Sequence, residues 1–260
     1  MATKKWKRFP YDSAAYCYAG NKLKNNWSRL HRGDCEPWPR STAALVDGWR
    51  AFHAGDFGAA IEAGGKLGAL GAVVANKACG VYATYVEPDE DRARDLLQSA
   101  VALGEHAAEE LPNHANTHYT LAFVLGRLSQ RISIVKALAE GHATRLRACL
   151  DRTLELEPKH ADAHIALGLY HAEIIGKLGA LAGGLTFGVS KDACLRHFDT
   201  ALKLVPDSAI ALVEYAHGLT LLDSKRHAAQ ANKLYTTASK LPPADAMEHL
   251  DILRARAQLQ

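Results

Sequence analysis

Histidine side chains at helical spacing are the clearest candidates for chemistry in this sequence. His160, His164 and His171 fall within the segment HADAHIALGLYH, and a helix would place the first two on one face. Two imidazoles at this spacing can bind zinc, but a structural or catalytic zinc site needs a third protein ligand. His171 cannot meet His164 directly, because seven residues of helix rise about 10 Å.

The same register recurs in the sequence and favours a structural interpretation. His114 and His118 lie two and six residues after Pro112. His160 and His164 lie at the same distances after Pro158. After a third proline these two places hold Ser208 and Leu212. A place that accepts leucine does not depend on imidazole chemistry. We therefore predict histidines that pack within repeats and no metal site, and we keep a histidine-based metalloprotein as the less favoured alternative.

Other catalytic signals are absent from the sequence. The hexapeptide GKLGAL occurs twice, but Leu67 and Leu178 follow its lysines where a phosphate-binding loop needs Ser or Thr. The chain has no G-x-S-x-G and no H-E-x-x-H motif. We predict a protein that is not an enzyme, with no catalytic residue and no cofactor.

The composition is that of a globular chain with an uneven charge. Of 260 residues, 48% are hydrophobic and 23% are charged, so the chain can bury a sizeable core. The net charge is +3, yet residues 1–40 carry +6 and the remainder −3. The nine basic residues of the N-terminal segment are Lys4, Lys5, Lys7, Arg8, Lys22, Lys24, Arg29, Arg32 and Arg40.

This N-terminal segment mixes basic residues with aromatic ones, which is one pattern of nucleic-acid binding. Tyr16, Leu23 and Trp27 nevertheless share helical spacing over residues 13–32, followed by Gly33, which favours a helix that caps a fold. Nucleic acid is therefore the less favoured partner. The sequence leaves open whether the segment has a role beyond capping.

Cysteine usage and hydropathy suggest a compartment. The five cysteines have no C-x-x-C spacing, which is typical of reduced thiols in a cytoplasmic protein. No window reaches the 18 or so apolar residues of a membrane-spanning helix. We expect a cytoplasmic chain with no transmembrane segment.

Prolines divide the sequence into similar segments. EELP, LELEP, LKLVP and SKLPP end at positions 112, 158, 206 and 243. Cys194, Phe198 and Ala201 precede Pro206 at the offsets that Ala231, Tyr235 and Ala238 occupy before Pro243. A small, a large and a small residue at this spacing share one helical face, where small residues allow a close neighbouring helix.

These segments resemble the tetratricopeptide repeat, a helix–turn–helix unit that stacks into an array. One helix A reads His118, Leu121-Ala122 and Leu125, and the next reads His164, Leu167-Gly168 and His171. The resemblance covers about five units over residues 41–243. It implies an all-α, right-handed superhelical α-solenoid, with capping helices in residues 1–40 and 244–260.

Two successive repeats are longer than the usual period of about 34 residues. The additional residues fall in 126–142 and 174–190, which are apolar and punctuated by glycine. We expect packed structure there rather than solvated loops. Such elongated hairpins resemble tetratricopeptide proteins associated with TRAP transporters and, more distantly, the regulators of microtubule dynamics.

The resemblance also implies a binding face. In tetratricopeptide arrays certain helix A positions line a concave groove, which here is largely apolar. Carried over by position, the groove residues are Asn116, Tyr119, Phe123, Arg127, Asp162, Ile165, Leu169, Glu173, Val213 and His217.

Two functions follow from this face. The first is a scaffold or adaptor whose groove binds a protein or peptide partner. The alternative is a binder of a small hydrophobic ligand that the groove encloses with the insertions 126–142 and 174–190. The sequence does not show whether the groove is open or filled by the insertions or the N-terminal helix, and it identifies neither partner, ligand nor oligomeric state.

Overall fold

A computed structural model describes residues 5–40 and 42–260, with the side chains of Ile134, Val135 and Leu138 excepted; Lys4 lies outside this range. Regular structure within the described residues is helical, without a strand, as the sequence predicted. The α-helices are α1 (Lys22–Leu30), α2 (Ala43–His53), α3 (Phe57–Lys66), α4 (Ala72–Tyr85), α5 (Glu90–Glu110), α6 (Ala115–Ser129), α7 (Ile134–Ala139), α8 (His142–Leu156), α9 (Ala161–Leu178), α10 (Ala180–Phe187), α11 (Lys191–Leu204), α12 (Ala209–Ala238) and α13 (Ala246–Ala257). Single 3-10 turns occupy Ala14–Tyr16 and Gly68–Gly71.

Prolines mark the boundaries between hairpins, as expected. Helices α5, α8 and α11 each end two residues before Pro112, Pro158 and Pro206, respectively. The next helix in each case begins three residues after the proline. Proline lacks a backbone N–H and restricts the residue before it, so it cannot lie inside either helix.

Several helices begin with a side-chain cap. Thr42, Asp56 and Asp89 accept hydrogen bonds from backbone N–H groups three residues later, at 3.2, 3.2 and 3.1 Å. Ser190 and Ser208 do the same for α11 and α12, at 3.1 and 3.3 Å. Each cap satisfies one of the N–H groups that a helix start leaves without a partner.

The chain forms two compact units. The first comprises residues 5–28, 37–152 and 245–247, within the described range. In it, consecutive helices from α2 to α6 pack on one another, and α4 also packs on α6. Ala93, Leu97 and Ala100 of α5 are buried in its core between α4, α5 and α6.

The second unit comprises residues 29–36, 153–244 and 248–260. Helix α9 packs against α10, α11 and α12. Phe198 is fully buried beneath the α9–α12 contact, between Gly168 and Gly218, and its ring stacks on Tyr215 at 4.8 Å. Together with the buried Cys194 and Ala201, this confirms the small, large, small face predicted before Pro206.

Helix α12 contains a break that makes it a hairpin. Asp223 has non-helical backbone angles, with φ −171° and ψ 96°. Its carboxylate accepts a hydrogen bond from the backbone N–H of Arg226 at 3.0 Å, so it caps the second half. Ala231, Tyr235 and Ala238 on that half are buried, which confirms the face predicted before Pro243.

The N-terminal helix is shorter than expected. Helical spacing over residues 13–32 predicted one helix, but α1 covers only Lys22–Leu30. Gly20 has a positive φ of 56° and turns the chain before α1 begins. Tyr16 and Trp27 are buried, so the aromatic residues still serve packing.

Both insertions contain helices, and the expectation of packed structure there is tested only for the second. Residues 126–142 contain the C-terminal end of α6 and the whole of α7. Residues 174–190 contain the C-terminal end of α9 and the whole of α10. The expectation was wrong for the second insertion in one respect. Leu181 and Leu185 of α10 are 79% and 83% exposed instead of packed.

Candidate functional site

In the first unit, α6 carries a column of stacked side chains. Tyr119, Phe123 and Arg127 are four residues apart and therefore share one helical face. The Tyr119 and Phe123 rings stack at 6.3 Å with an interplanar angle of 17°. The Arg127 guanidinium lies 5.2 Å from the Phe123 ring centroid, within cation–π range.

Phe123 of this column packs against Gly80 of α4. A Cβ atom at Gly80 would lie 2.2 Å from Cε1 of Phe123, so only glycine admits the ring at this position. Tyr119 is 8% exposed, whereas Phe123 and Arg127 are half-buried. Asn116, one turn earlier, is buried. The accessible part of the predicted face on α6 is therefore Phe123 and Arg127.

In the second unit, the predicted groove positions on α9 also include both buried and half-buried residues. Asp162 and Ile165 are buried, while Leu169 and Glu173 are half-buried. Glu173 accepts a hydrogen bond from Lys177 at 3.0 Å. On α12, Val213 is fully buried and His217 is half-buried.

The turn after α1 covers the start of α9. The backbone N–H of Asp162 donates to the carbonyl oxygen of Gly33 at 3.0 Å. A Cβ atom at Gly33 would lie 2.3 Å from Oδ1 of Asp162, so the two segments are in close contact. Part of the predicted binding face is thus occupied by the chain itself, one of the alternatives that the sequence left open.

Three of the four histidines in the register have a structural explanation, whereas the side chain of His114 does not cap α6. His160 Nδ1 accepts a hydrogen bond from the backbone N–H of Ala163 at 3.0 Å and caps α9, as Ser208 caps α12. In the second place of the register, His118 Nε2 lies 2.9 Å from the carbonyl oxygen of Pro112. His164 makes the equivalent hydrogen bond to the carbonyl of Pro158.

A residue that the sequence analysis missed connects His164 to His171. His197 of α11 lies between them, with its Nδ1 2.9 Å from Nδ1 of His164. Its ring stacks on that of His171 at 5.8 Å. Nδ1 of His171 accepts from the backbone N–H of Ser190 at 3.2 Å. The signal was hidden because His197 belongs to another helix, 33 residues from His164 in sequence.

Burial disfavours the charged forms of His164 and of two buried cysteines. Burial lowers the pKa of His164, and the hydrogen bond to Pro158 opposes this only in part. Burial also raises the pKa values of the Cys79 and Cys194 thiols to about 12. These thiols are therefore neutral at pH 7, whereas a nucleophilic or metal-binding cysteine is a thiolate.

The aromatic residues of the N-terminal segment are engaged within the first unit. Trp6 packs edge-on against Tyr82 at 5.1 Å and donates to Glu62 at 2.6 Å. Trp27 packs edge-on against Trp38 and Trp49 at 4.9 and 5.7 Å. These rings support packing, the interpretation that the sequence favoured, rather than stacking on bases.

Two searches of the described residues complete this description. No group of three or more His, Cys, Asp and Glu side chains is arranged to hold a metal ion. Among the same residues, no helix is both long and apolar enough to span a membrane.

Comparison with known proteins identifies the fold. A thermophilic tetratricopeptide-repeat protein from Thermus thermophilus superposes with a TM-score of 0.58 at 17% identity, covering 84% of this chain and 98% of that chain. This similarity confirms the predicted fold class, an α-solenoid of tetratricopeptide-like hairpins. A search of curated proteins finds no significant match.

A family model assigns the chain to a protein family, which the structural similarity alone does not. The model described as regulator of microtubule dynamics protein 1-3 matches residues 73–258, well over half of the chain. The matched range begins in α4 and ends after α13, so it includes both elongated hairpins. The chain belongs to the regulator of microtubule dynamics protein 1-3 family.

Proposed function

We propose that this protein is a non-enzymatic scaffold that binds a protein partner through helix A faces of its repeats. The contact residues on α6 are Phe123 and Arg127. Leu169 and Glu173 on α9 and His217 on α12 are the corresponding half-buried positions of the second unit. The observation that carries the proposal is the column on α6, which leaves an aromatic ring and a guanidinium partly accessible.

The chemistry of the column supports a protein partner. Aromatic and arginine side chains provide much of the binding energy at protein interfaces. Phe123 is held by Tyr119 on one side and Gly80 below, so it loses little conformational freedom on binding. The Arg127 guanidinium favours an acidic partner surface.

The family name suggests which proteins to test first. Because the family is described by its effect on microtubule dynamics, we propose a partner in the microtubule system, either tubulin or a protein bound to it. The five cysteines all lie within the described residues and carry thiols rather than disulfides, which supports a reducing compartment such as the cytosol.

The test is co-sedimentation with microtubules assembled from purified tubulin, together with pull-down from a cell extract. We expect wild-type protein to be retained and Arg127→Glu to weaken retention at least tenfold. Phe123→Asp should have the same effect, but it also places a carboxylate against α4. Its unfolding temperature must therefore be measured in parallel.

Leu70→Asp is the matched control for Phe123→Asp, because it introduces the same charge at an apolar residue. Leu70 is 51% exposed in the same unit, on the Gly68–Gly71 turn. If purified microtubules retain no wild-type protein, tubulin is not the direct partner, and the pull-down then tests the face itself. Proteins captured equally by wild type, Leu70→Asp and Arg127→Glu would show that the α6 face is not the binding site.

The enclosed-ligand alternative is less well supported. It assigns the apolar residues of insertion 174–190 to a ligand cavity, and Leu181 and Leu185 of that insertion are exposed to solvent. It remains a second hypothesis, and native mass spectrometry of the purified protein tests it by the presence or absence of an added mass.

A further inference from the structure

The first unit holds a segment of its own chain on the surface of α3, α4 and α5. Residues 5–11, which we call the N-terminal strap, form neither helix nor strand. The side chains of Trp6 and Phe9 are half-buried. Lys7 and Arg8, which lie between them, are exposed. Two aromatic side chains three residues apart therefore attach the strap to the unit.

The Trp6 side chain lies in a site that three helices build. Its ring packs edge-on against Tyr82 of α4 at 5.1 Å, and its Nε1 donates to Glu62 of α3 at 2.6 Å. The Arg92 guanidinium of α5 lies 5.2 Å from the ring, within cation–π range. A Cβ atom at Gly58 of α3 would lie 2.6 Å from Cβ of Trp6, so this wall of the site requires glycine. The site therefore recognises both the ring and the N–H of an indole.

Two further contacts define what kind of segment the surface accepts. Phe9 packs edge-on against Phe57 of α3 at 6.3 Å. Lys7 donates its backbone N–H to the Tyr82 hydroxyl at 3.1 Å, and its Nζ lies 3.8 Å from the Glu87 carboxylate. The preferred ligand is thus an extended peptide with tryptophan, a basic residue next to it and phenylalanine three residues after the tryptophan.

The buried carboxylate of this site keeps its partners without the strap. The Glu87 side chain, which is 1% exposed, accepts hydrogen bonds from the Tyr82 hydroxyl at 3.0 Å and from the backbone N–H of Asp89 at 3.1 Å. The Arg92 guanidinium lies 3.0 Å from the same carboxylate. Removing a partner is most costly where it leaves a buried charge unpaired. Loss of the strap does not incur this cost, because Glu87 has three other partners.

We propose that this surface is a peptide-binding site occupied by the strap, and that a partner protein binds here by displacing the strap with a segment of the same chemistry. A tethered segment competes at an effective concentration on the order of millimolar, so the strap weakens binding of the partner. A second copy of this chain is the less favoured occupant, because exchanging identical straps gains no contact and loses translational freedom. The site is separate from the α6 face, since neither Phe123 nor Arg127 belongs to it.

Binding of a labelled peptide to the full chain tests the site. The probe is the synthetic peptide KWKRFPYD, residues 5–12, and the measurement is fluorescence anisotropy. The double variant Trp6→Ala/Phe9→Ala lacks both anchors of its own strap, and we expect it to bind the peptide at least tenfold more tightly than wild type. Adding Gly58→Ala should weaken this binding at least tenfold, because the new Cβ overlaps the position of the indole. Adding Gly65→Ala is the matched control on the same helix; with nothing within 4 Å of its Cβ, it should leave binding unchanged.

Proteolysis of the strap is a second test that does not require the double variant. Gly58→Ala alone should detach the strap, so trypsin should cleave after Lys7 and Arg8 at least tenfold faster than in wild type or Gly65→Ala. The unfolding temperature of Gly58→Ala should fall by less than about 5 °C, because helix α3 tolerates alanine and only surface contacts are lost.

Three results would overturn the proposal. The first is a folded double variant that does not bind the peptide, or that binds it equally after Gly58→Ala is added. The second is a Gly58→Ala chain that is cleaved at the wild-type rate or that unfolds at a much lower temperature, because the strap would then be a fixed part of the fold. The third is a wild-type dimer that Gly58→Ala abolishes, which would assign the site to exchange of straps between copies.

Discussion

At the scale of single residues, the histidines act as structural hydrogen-bonding groups. His160 occupies the place of Ser208 in the next repeat, and both side chains accept a hydrogen bond from a backbone N–H three residues later. The sequence alone showed that His160 and Ser208 are equivalent positions, because each lies two residues after a proline. It could not supply the contact of His164 with His197, which depends on how α9 and α11 pack.

The capping role of His160 gives a quantitative prediction. His160→Ala and His160→Ser both remove a buried ring, but only serine can still accept the hydrogen bond from Ala163. We therefore expect the alanine variant to be less stable than the serine variant by about 1 kcal/mol, the usual contribution of an N-cap. Urea denaturation followed by circular dichroism at pH 7.5 measures the difference. Equal stability of the two variants would mean that His160 does not act as a cap.

At the scale of helices, packing in the second unit depends on glycine. A Cβ atom at Gly168 of α9 would lie 2.8 Å from the fully buried Phe198 ring. We expect Gly168→Ala to lower the free energy of unfolding by about 1–3 kcal/mol, because overpacking exceeds the gain in helix propensity.

Gly176→Ala is the control for this substitution on the same helix. Its nearest neighbour would be the Leu221 carbonyl oxygen at 3.6 Å, an ordinary contact. We expect this variant to be more stable than wild type by about 0.5–1 kcal/mol, since alanine is the better helix former. Urea denaturation of both variants is the measurement. A destabilised Gly176→Ala with an unchanged Gly168→Ala would contradict the packing argument.

The helices also show what the sequence could and could not predict. Prolines and the repeated apolar faces predicted the helix ends near Pro112, Pro158 and Pro206, because these signals are local. The orientation of α10 was not predictable, since an apolar segment punctuated by glycine has no polar face to indicate its exposed side. For the same reason, the half-buried state of Phe123 and the full burial of Val213 required the tertiary structure.

At the scale of the whole molecule, both units contain at least one histidine whose neutral form is favoured by burial. Burial lowers the pKa of His142 in the first unit and of His164 and His249 in the second. In the unfolded chain the same groups titrate near pH 6.5. Below that pH the unfolded chain binds more protons than the folded one, so acid favours unfolding.

This difference predicts how stability depends on pH. The stability contributed by the neutral histidines is complete above about pH 6.5 and is lost as the pH falls towards the lowered pKa values of the folded protein. The free energy of unfolding should therefore fall between pH 7.5 and 5.5, where most carboxyl groups remain ionised. Substituting His164→Leu, which copies Leu212 of the next repeat, should make this fall smaller. Urea denaturation at several pH values measures both slopes, and an equal fall in wild type and in His164→Leu would show that burial does not hold His164 neutral.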